Sequence, residues 1–146
     1  MLVVTPPDDV AIRDVLKGLD VRLVVNPRPE DGQGTSIAVG AAALPVGAEA
    51  VVIALGDQPR VPDTLLTDLV TVFRREGKPI ATPVYRGVHG TPVIFAAAVF
   101  DELRALAGDA GARAVVRKDP TRVTRLVVDT EMPPDVDTPE DYARLV

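Results

Sequence analysis

Asp57 closes the stretch AVVIALGDQP at 50–59, and Asp135 and Asp137 stand one residue apart in DVDTPEDY at 135–142. Carboxylates are hard oxygen donors. Two of them, completed by phosphate oxygens and water, are the usual protein share of a Mg2+ site. An acid placed directly after an apolar run also stands where open α/β sheets bind their ligands, at the carboxyl end of a strand. In an extended segment, residues one apart point the same way, so Asp135 and Asp137 share a side and Asp137 could join Asp57 on one ion. Plainer readings fit the same residues. Asp57 would serve as a turn acid or helix cap, and Asp135 and Asp137 would offset the positive N-terminal end of the last helix.

Two further stretches have the right residue types. Gly32-Gln33-Gly34-Thr35-Ser36 puts small residues at a predicted helix start, where exposed backbone N–H groups and the helix dipole favour an anion; ordinary turn chemistry explains it equally. Gly87 to Pro92 holds the only histidine, His89, between Gly87 and Gly90. That histidine would contact substrate, act as a base, or simply be solvated. No order of Ser, His and Asp suggests acyl transfer, and neither a GxxxxGK[ST] loop nor an HExxH pattern occurs. Two acids with an anion-binding helix start suit metal-assisted phosphoryl or nucleotidyl transfer better than hydrolysis by histidine.

The elements that must position these residues alternate. Strands are predicted at 2–5, 21–25, 50–55, 80–85, 91–95 and 123–128. Helices are predicted after Asp9, at 35–44, at 63–76, at 97–107 and 110–118, and from Pro139 with Thr138 as N-cap. Val10, Ile12, Leu16 and Leu19 form the stripe of the first helix. Leu65, Leu66, Leu69, Val70 and Phe73 form that of the third. The run at 50–55 reads as a strand buried on both faces at the centre of the sheet. Strands separated by helices imply an α/β fold with a largely parallel sheet and right-handed crossovers.

The chain has 146 residues, a length that fits one domain over 1–146 with a real core. Apolar residues make up 47% and aromatics only 3%, so Val, Leu, Ile and Ala must fill that core. The net charge of −5 argues against non-specific nucleic-acid binding. Without cysteine there are no disulfides, thiolate metal sites or thiol nucleophiles. No stretch has the length of a transmembrane helix and no signal peptide is visible, so a cytoplasmic protein with no membrane contact is the expectation. The 14 prolines fall mostly at element boundaries, as punctuation.

Taken in order, these motifs carry a resemblance. Asn26-Pro27 with Gly34 and Ser36, GDQP at 56–59, the Gly87–Pro92 loop, GDAGAR at 108–113 and DVDTPEDY at 135–142 succeed one another as in the MobA-like nucleotidyltransferase family. The nearest branch is that of the molybdenum cofactor cytidylyltransferases. The resemblance covers nearly the whole chain. It implies a three-layer Rossmann-like sandwich of the nucleotide-diphospho-sugar-transferase type. It also implies transfer of a nucleoside monophosphate from CTP or GTP to a phosphorylated small-molecule acceptor such as molybdopterin, with Mg2+ as cofactor. By match to the motifs, Asp57 and Asp137 would be the catalytic metal ligands. Gly34, Thr35, Ser36 and Gln58 would approach the nucleotide, and Gly87, His89, Gly90 and Pro92 would face the acceptor.

Two features depart from the pattern. Relatives tend to read Gly-His-Pro where this chain has His89-Gly90-Thr91-Pro92, so the histidine is displaced. The family's opening strand and glycine-rich loop, which grips the triphosphate, has no counterpart in this sequence. A truncated fold of this kind is expected to expose strand edges and to self-associate or swap strands. The alternative to an active transferase is a binding or assembly module, or a fragment, that keeps the fold without catalysis.

Overall fold

The computed structural model describes residues 1–145. In chain order the elements are β1 (Leu2–Thr5), α1 (Val10–Val15), β2 (Arg22–Val25), α2 (Gln33–Ala42), β3 (Ala50–Ile53), α3 (Asp63–Glu76) and β4 (Ile80–Tyr85). They continue with β5 (Val88–His89), β6 (Val93–Ala96), α4 (Phe100–Arg104), α5 (Ala112–Lys118), β7 (Val123–Val128) and α6 (Pro139–Ala143). The chain packs as two compact units. The first comprises Met1–Glu49 with Ala98–Lys118, the second Ala50–Ala97 with the residues from Asp119 onward.

In the first unit β1 and β2 run parallel, with Leu2 opposite Arg22 and Thr5 opposite Val25. The small residues of α2 let it lie close on β1. A Cβ on Gly40 would stand 3.1 Å from the Val4 side chain. Ala41, Phe100, Leu103, Val115 and Val116 are the buried hydrophobic residues of its α-helices. The predicted stripe of α1 contributes little to this packing. The helix has only six residues, buries none of them, and leaves Val10 66% exposed. Asp9 caps it by accepting from the Ile12 N–H at 2.9 Å.

In the second unit β3, β6, β4 and β5 pair in that order, and β7 pairs with β4. The expected largely parallel sheet is mixed. β7 runs parallel to β4 over six residue pairs, but β6 is antiparallel to both β3 and β4. The reason is connection length. After β4 the chain turns at Arg86-Gly87 and returns through β5 into β6 within a few residues, too few for a parallel crossover. Arg86 and Gly87 have φ of 45° and 87°, the left-handed pair that a two-residue hairpin turn requires.

β3 also departs from expectation. It is an edge strand of its sheet, it stops at Ile53, and it is not buried on both faces: Val52 is 40% exposed. α3 follows its predicted bounds and covers one sheet face. Leu69, Ala81 and Ile94 are buried together, with Val70, Val72, Phe73 and Leu126 packed around them. Gly77, at φ 66°, ends the helix in the left-handed conformation. No helix among the described residues is long and apolar enough to cross a membrane.

Candidate functional site

The predicted site residues divide between the units: Gly34, Thr35 and Ser36 lie in the first, the remainder in the second. In the first unit the helix start is occupied by the protein's own groups. The Gly34 N–H donates to the Gly108 carbonyl at 2.8 Å. A Cβ on Gly34 would meet the Ala107 and Ala110 backbone at 2.9 Å, so the glycine is there for close packing. Asn26, 1% exposed, donates through Nδ2 to Thr35 Oγ1 at 2.8 Å and to Ser36 Oγ at 3.0 Å. Its Oδ1 accepts from the Arg28 N–H at 3.0 Å. The Thr35 hydroxyl in turn donates toward the Gly32 carbonyl at 2.8 Å. The conspicuous Gly-Thr-Ser run and the glycines of GDAGAR thus interlock. Gly32, at φ 99°, faces the Gly108 backbone so closely that a Cβ would be 2.3 Å away, and one on Gly111 would meet Gln33 Oε1 at 2.3 Å.

The second unit arranges its residues differently. Past β3, Asp57 is exposed while Gln58 is buried. The Asp57 carbonyl accepts from the Val136 N–H at 2.8 Å, which brings the segment 135–137 against the turn that carries Asp57. Gln58 Nε2 donates to Asp135 Oδ1 at 2.6 Å, and its Oε1 accepts from the Thr91 hydroxyl. Gln58, expected to approach the nucleotide, therefore has both ends of its amide engaged within the protein. Asp57 and Asp137 are exposed, and neither carboxylate has a hydrogen bond or ion pair among the described residues.

The expected acceptor loop is exposed at one end and buried at the other. Gly87 is the exposed tip of the hairpin, while His89 is half-buried in β5, paired with Val84. Gly90 is buried beneath the Tyr85 ring, where a Cβ would stand 2.6 Å from a ring carbon. The Thr91–Pro92 peptide is cis and both residues are buried. Thr82 donates to the Gly90 carbonyl at 3.0 Å and Tyr85 to the Thr91 carbonyl at 3.4 Å. Burial pushes the Tyr85 phenol pKa up. Just beyond Asp137, Thr138 and Asp141 form a reciprocal capping box, the Asp141 N–H donating to Thr138 Oγ1 at 3.1 Å. The Thr138 hydroxyl, foremost among the groups around it, holds the Asp141 carboxyl below the usual range.

Sequence reasoning missed the parts played by Thr91 and Asp135. Gln58 and Asp135 are 77 residues apart and Gln58 and Thr91 are 33 apart, so no local pattern could have joined them. No group of three or more His, Cys, Asp or Glu side chains among the described residues forms a ready metal cage. The donor set at hand is the two unengaged carboxylates, which suits a hard cation that keeps oxygens from its ligand and from water.

In an open α/β fold, the region beyond a strand's carboxyl end, where Asp57 stands, is where ligands are commonly bound. Residues 1–123 match the MobA-like NTP transferase domain, and the chain belongs to that family. The purine catabolism protein PucB of Bacillus subtilis (strain 168) is 31% identical over 116 residues, which are 77% of this chain and 55% of PucB. The chain thus spans about half the length of that curated relative. A crystal structure of Rv0371c from Mycobacterium tuberculosis H37Rv is similar over 99% of this chain and 74% of that one, at 32% identity and a TM-score of 0.79. A second Rv0371c structure, a complex with manganese, matches 99% of this chain and 76% of that one, at 33% identity and a TM-score of 0.77. The chain shares with these relatives a Rossmann-like α/β fold, as the motifs implied.

Proposed function

We propose that this chain carries a metal-binding site of a nucleotidyltransferase, which moves a nucleoside monophosphate from CTP or GTP to a phosphorylated acceptor of the molybdopterin kind. The observation that supports this reading most is the Val136 N–H to Asp57 carbonyl bond at 2.8 Å, which fixes Asp57 beside the segment ending in Asp137. In this reading Asp57 and Asp137 hold a divalent cation, Mg2+ or Mn2+, through their free carboxylates. When bound, the cation offsets negative charge on the phosphates during transfer. An acceptor phosphate oxygen forms the new bond to the α-phosphorus, and the bond to pyrophosphate breaks. The chain's share is to set the two carboxylates and to keep the supporting loop rigid through Gly90, Thr91 and Pro92. The test is pyrophosphate release from CTP or GTP with molybdopterin as acceptor. Release that depends on Asp57 and on the cation supports the reading.

A second reading, an acceptor-binding or assembly module without transfer, draws on the cations of the second unit. Arg60 donates to the Arg144 carbonyl at 3.0 Å, and Arg86 pairs with Glu131 at 2.7 Å. Both guanidinium groups are thus engaged within the protein. Cation and acceptor binding with no pyrophosphate release would favour this module.

A further inference from the structure

We infer that Gln58 is a positioning residue, a buried brace that sets the spacing of the Asp57 and Asp137 carboxylates, and not a contact for the nucleotide; the inference rests on the metal-site reading above. Gln58 is 6% exposed although its neighbours Asp57 and Pro59 are exposed. A primary amide enters the interior only where its donor and acceptor find partners. Here each end has one: the Thr91 hydroxyl donates to Oε1, and Nε2 donates to Asp135 Oδ1 at 2.6 Å. Thr91 is itself fixed, buried between Gly90 under the Tyr85 ring and Pro92. Asp135 is therefore tied through Gln58 to the buried connection between β5 and β6.

The 135–137 segment meets the Asp57 turn at two points. One is the backbone bond from the Val136 N–H to the Asp57 carbonyl, at 2.8 Å. The other is the Gln58–Asp135 bond. A single point would act as a hinge about which Asp137 could swing; two points fix its orientation. The brace also accounts for the side chain chosen. Glutamate at 58 would set a second carboxylate against Asp135, asparagine would be one methylene short, and an apolar residue would leave Thr91 and Asp135 without their partner.

The test titrates the full chain with Mn2+ alone, following free Mn2+ by electron paramagnetic resonance, with thermal unfolding in parallel. Gln58→Met keeps volume and net charge but removes the amide, and is expected to weaken Mn2+ binding about tenfold. The double exchange Gln58→Glu with Asp135→Asn also keeps the net charge. It rebuilds the same amide–carboxylate bond in reverse, with Thr91 still donating to position 58, and is expected to bind within about threefold of the wild type. Wild-type affinity in Gln58→Met, with only a lower Tm, would overturn the inference and leave a purely structural role. Failure of the exchange to bind would also overturn it, since Asp135 would then act on the cation directly. If Gln58→Met does not fold, the exchange alone decides. No Mn2+ binding by the wild type, or undiminished binding by Asp57→Asn, would overturn the metal-site reading, and this inference with it.

Discussion

Asn26 and Gln58 are both buried amides, one in each unit, and they leave very different surroundings. Asn26 engages Thr35, Ser36 and the Arg28 N–H, and the glycines around it interlock with the 108–111 turn. The Gly34 and Thr35 N–H groups and the Thr35 and Ser36 hydroxyls of this region all bond within the protein. Gln58 engages Thr91 and Asp135, but the acids on either side of that bond, Asp57 and Asp137, keep their carboxylates free. The same device, an amide satisfied at both ends, stands in one loop cluster among groups bonded to one another and in the other beside two unengaged carboxylates.

The sharpest way to break this contrast is in the first region. Gly32→Ala would put a Cβ 2.3 Å from the Gly108 carbonyl carbon at a φ of 99°. Overpacking and left-handed strain together should cost about 3 kcal/mol, read from urea unfolding. Slightly smaller in energy, Asp57→Asn and Asp137→Asn should each weaken Mn2+ binding about 100-fold, or about 2.7 kcal/mol. Their unfolding midpoints should hardly move, because both residues are exposed. Asn26→Ala removes a buried amide with three partners and should cost about 2 kcal/mol by urea unfolding. The smallest effect is expected from Thr138→Ala, which removes an N-cap and should cost about 1 kcal/mol.

The same cap predicts a pH dependence. Asp141 has its folded-state pKa lowered, first by the Thr138 hydroxyl. Its contribution is therefore present above the ordinary aspartate pKa of 3.8 and is lost as pH falls through the depressed value. Thr138→Ala should flatten the acid limb of the stability curve, and a limb identical in both proteins would contradict the cap.

What the sequence made legible was whatever its local pattern determines. α3 and β7 keep their predicted bounds because one has a clear amphipathic repeat and the other a run of β-branched residues between turn signals. Thr138-Pro139 marked the start of α6 for the same local reason. β3 was recognisable as a strand from its apolar run, but its place at a sheet edge depends on which strands pair beside it, which an apolar run does not encode. Asp57 and Asp137 could be named from their motifs. The bonds that bring their segments together, from the Val136 N–H to the Asp57 carbonyl and from Gln58 to Asp135, join residues distant in sequence and only by folding.

The central claim is that a divalent cation binds at Asp57 and Asp137. It is tested most directly by adding substoichiometric Mn2+ to the 15N-labelled chain and following which backbone amide signals broaden. Those of Gly56–Gln58 and Asp135–Thr138 should vanish first, and Asp57→Asn should abolish the selectivity. Broadening centred instead on other exposed acids, such as Glu30–Asp31 or Asp129–Glu131, or spread evenly along the chain, would contradict it.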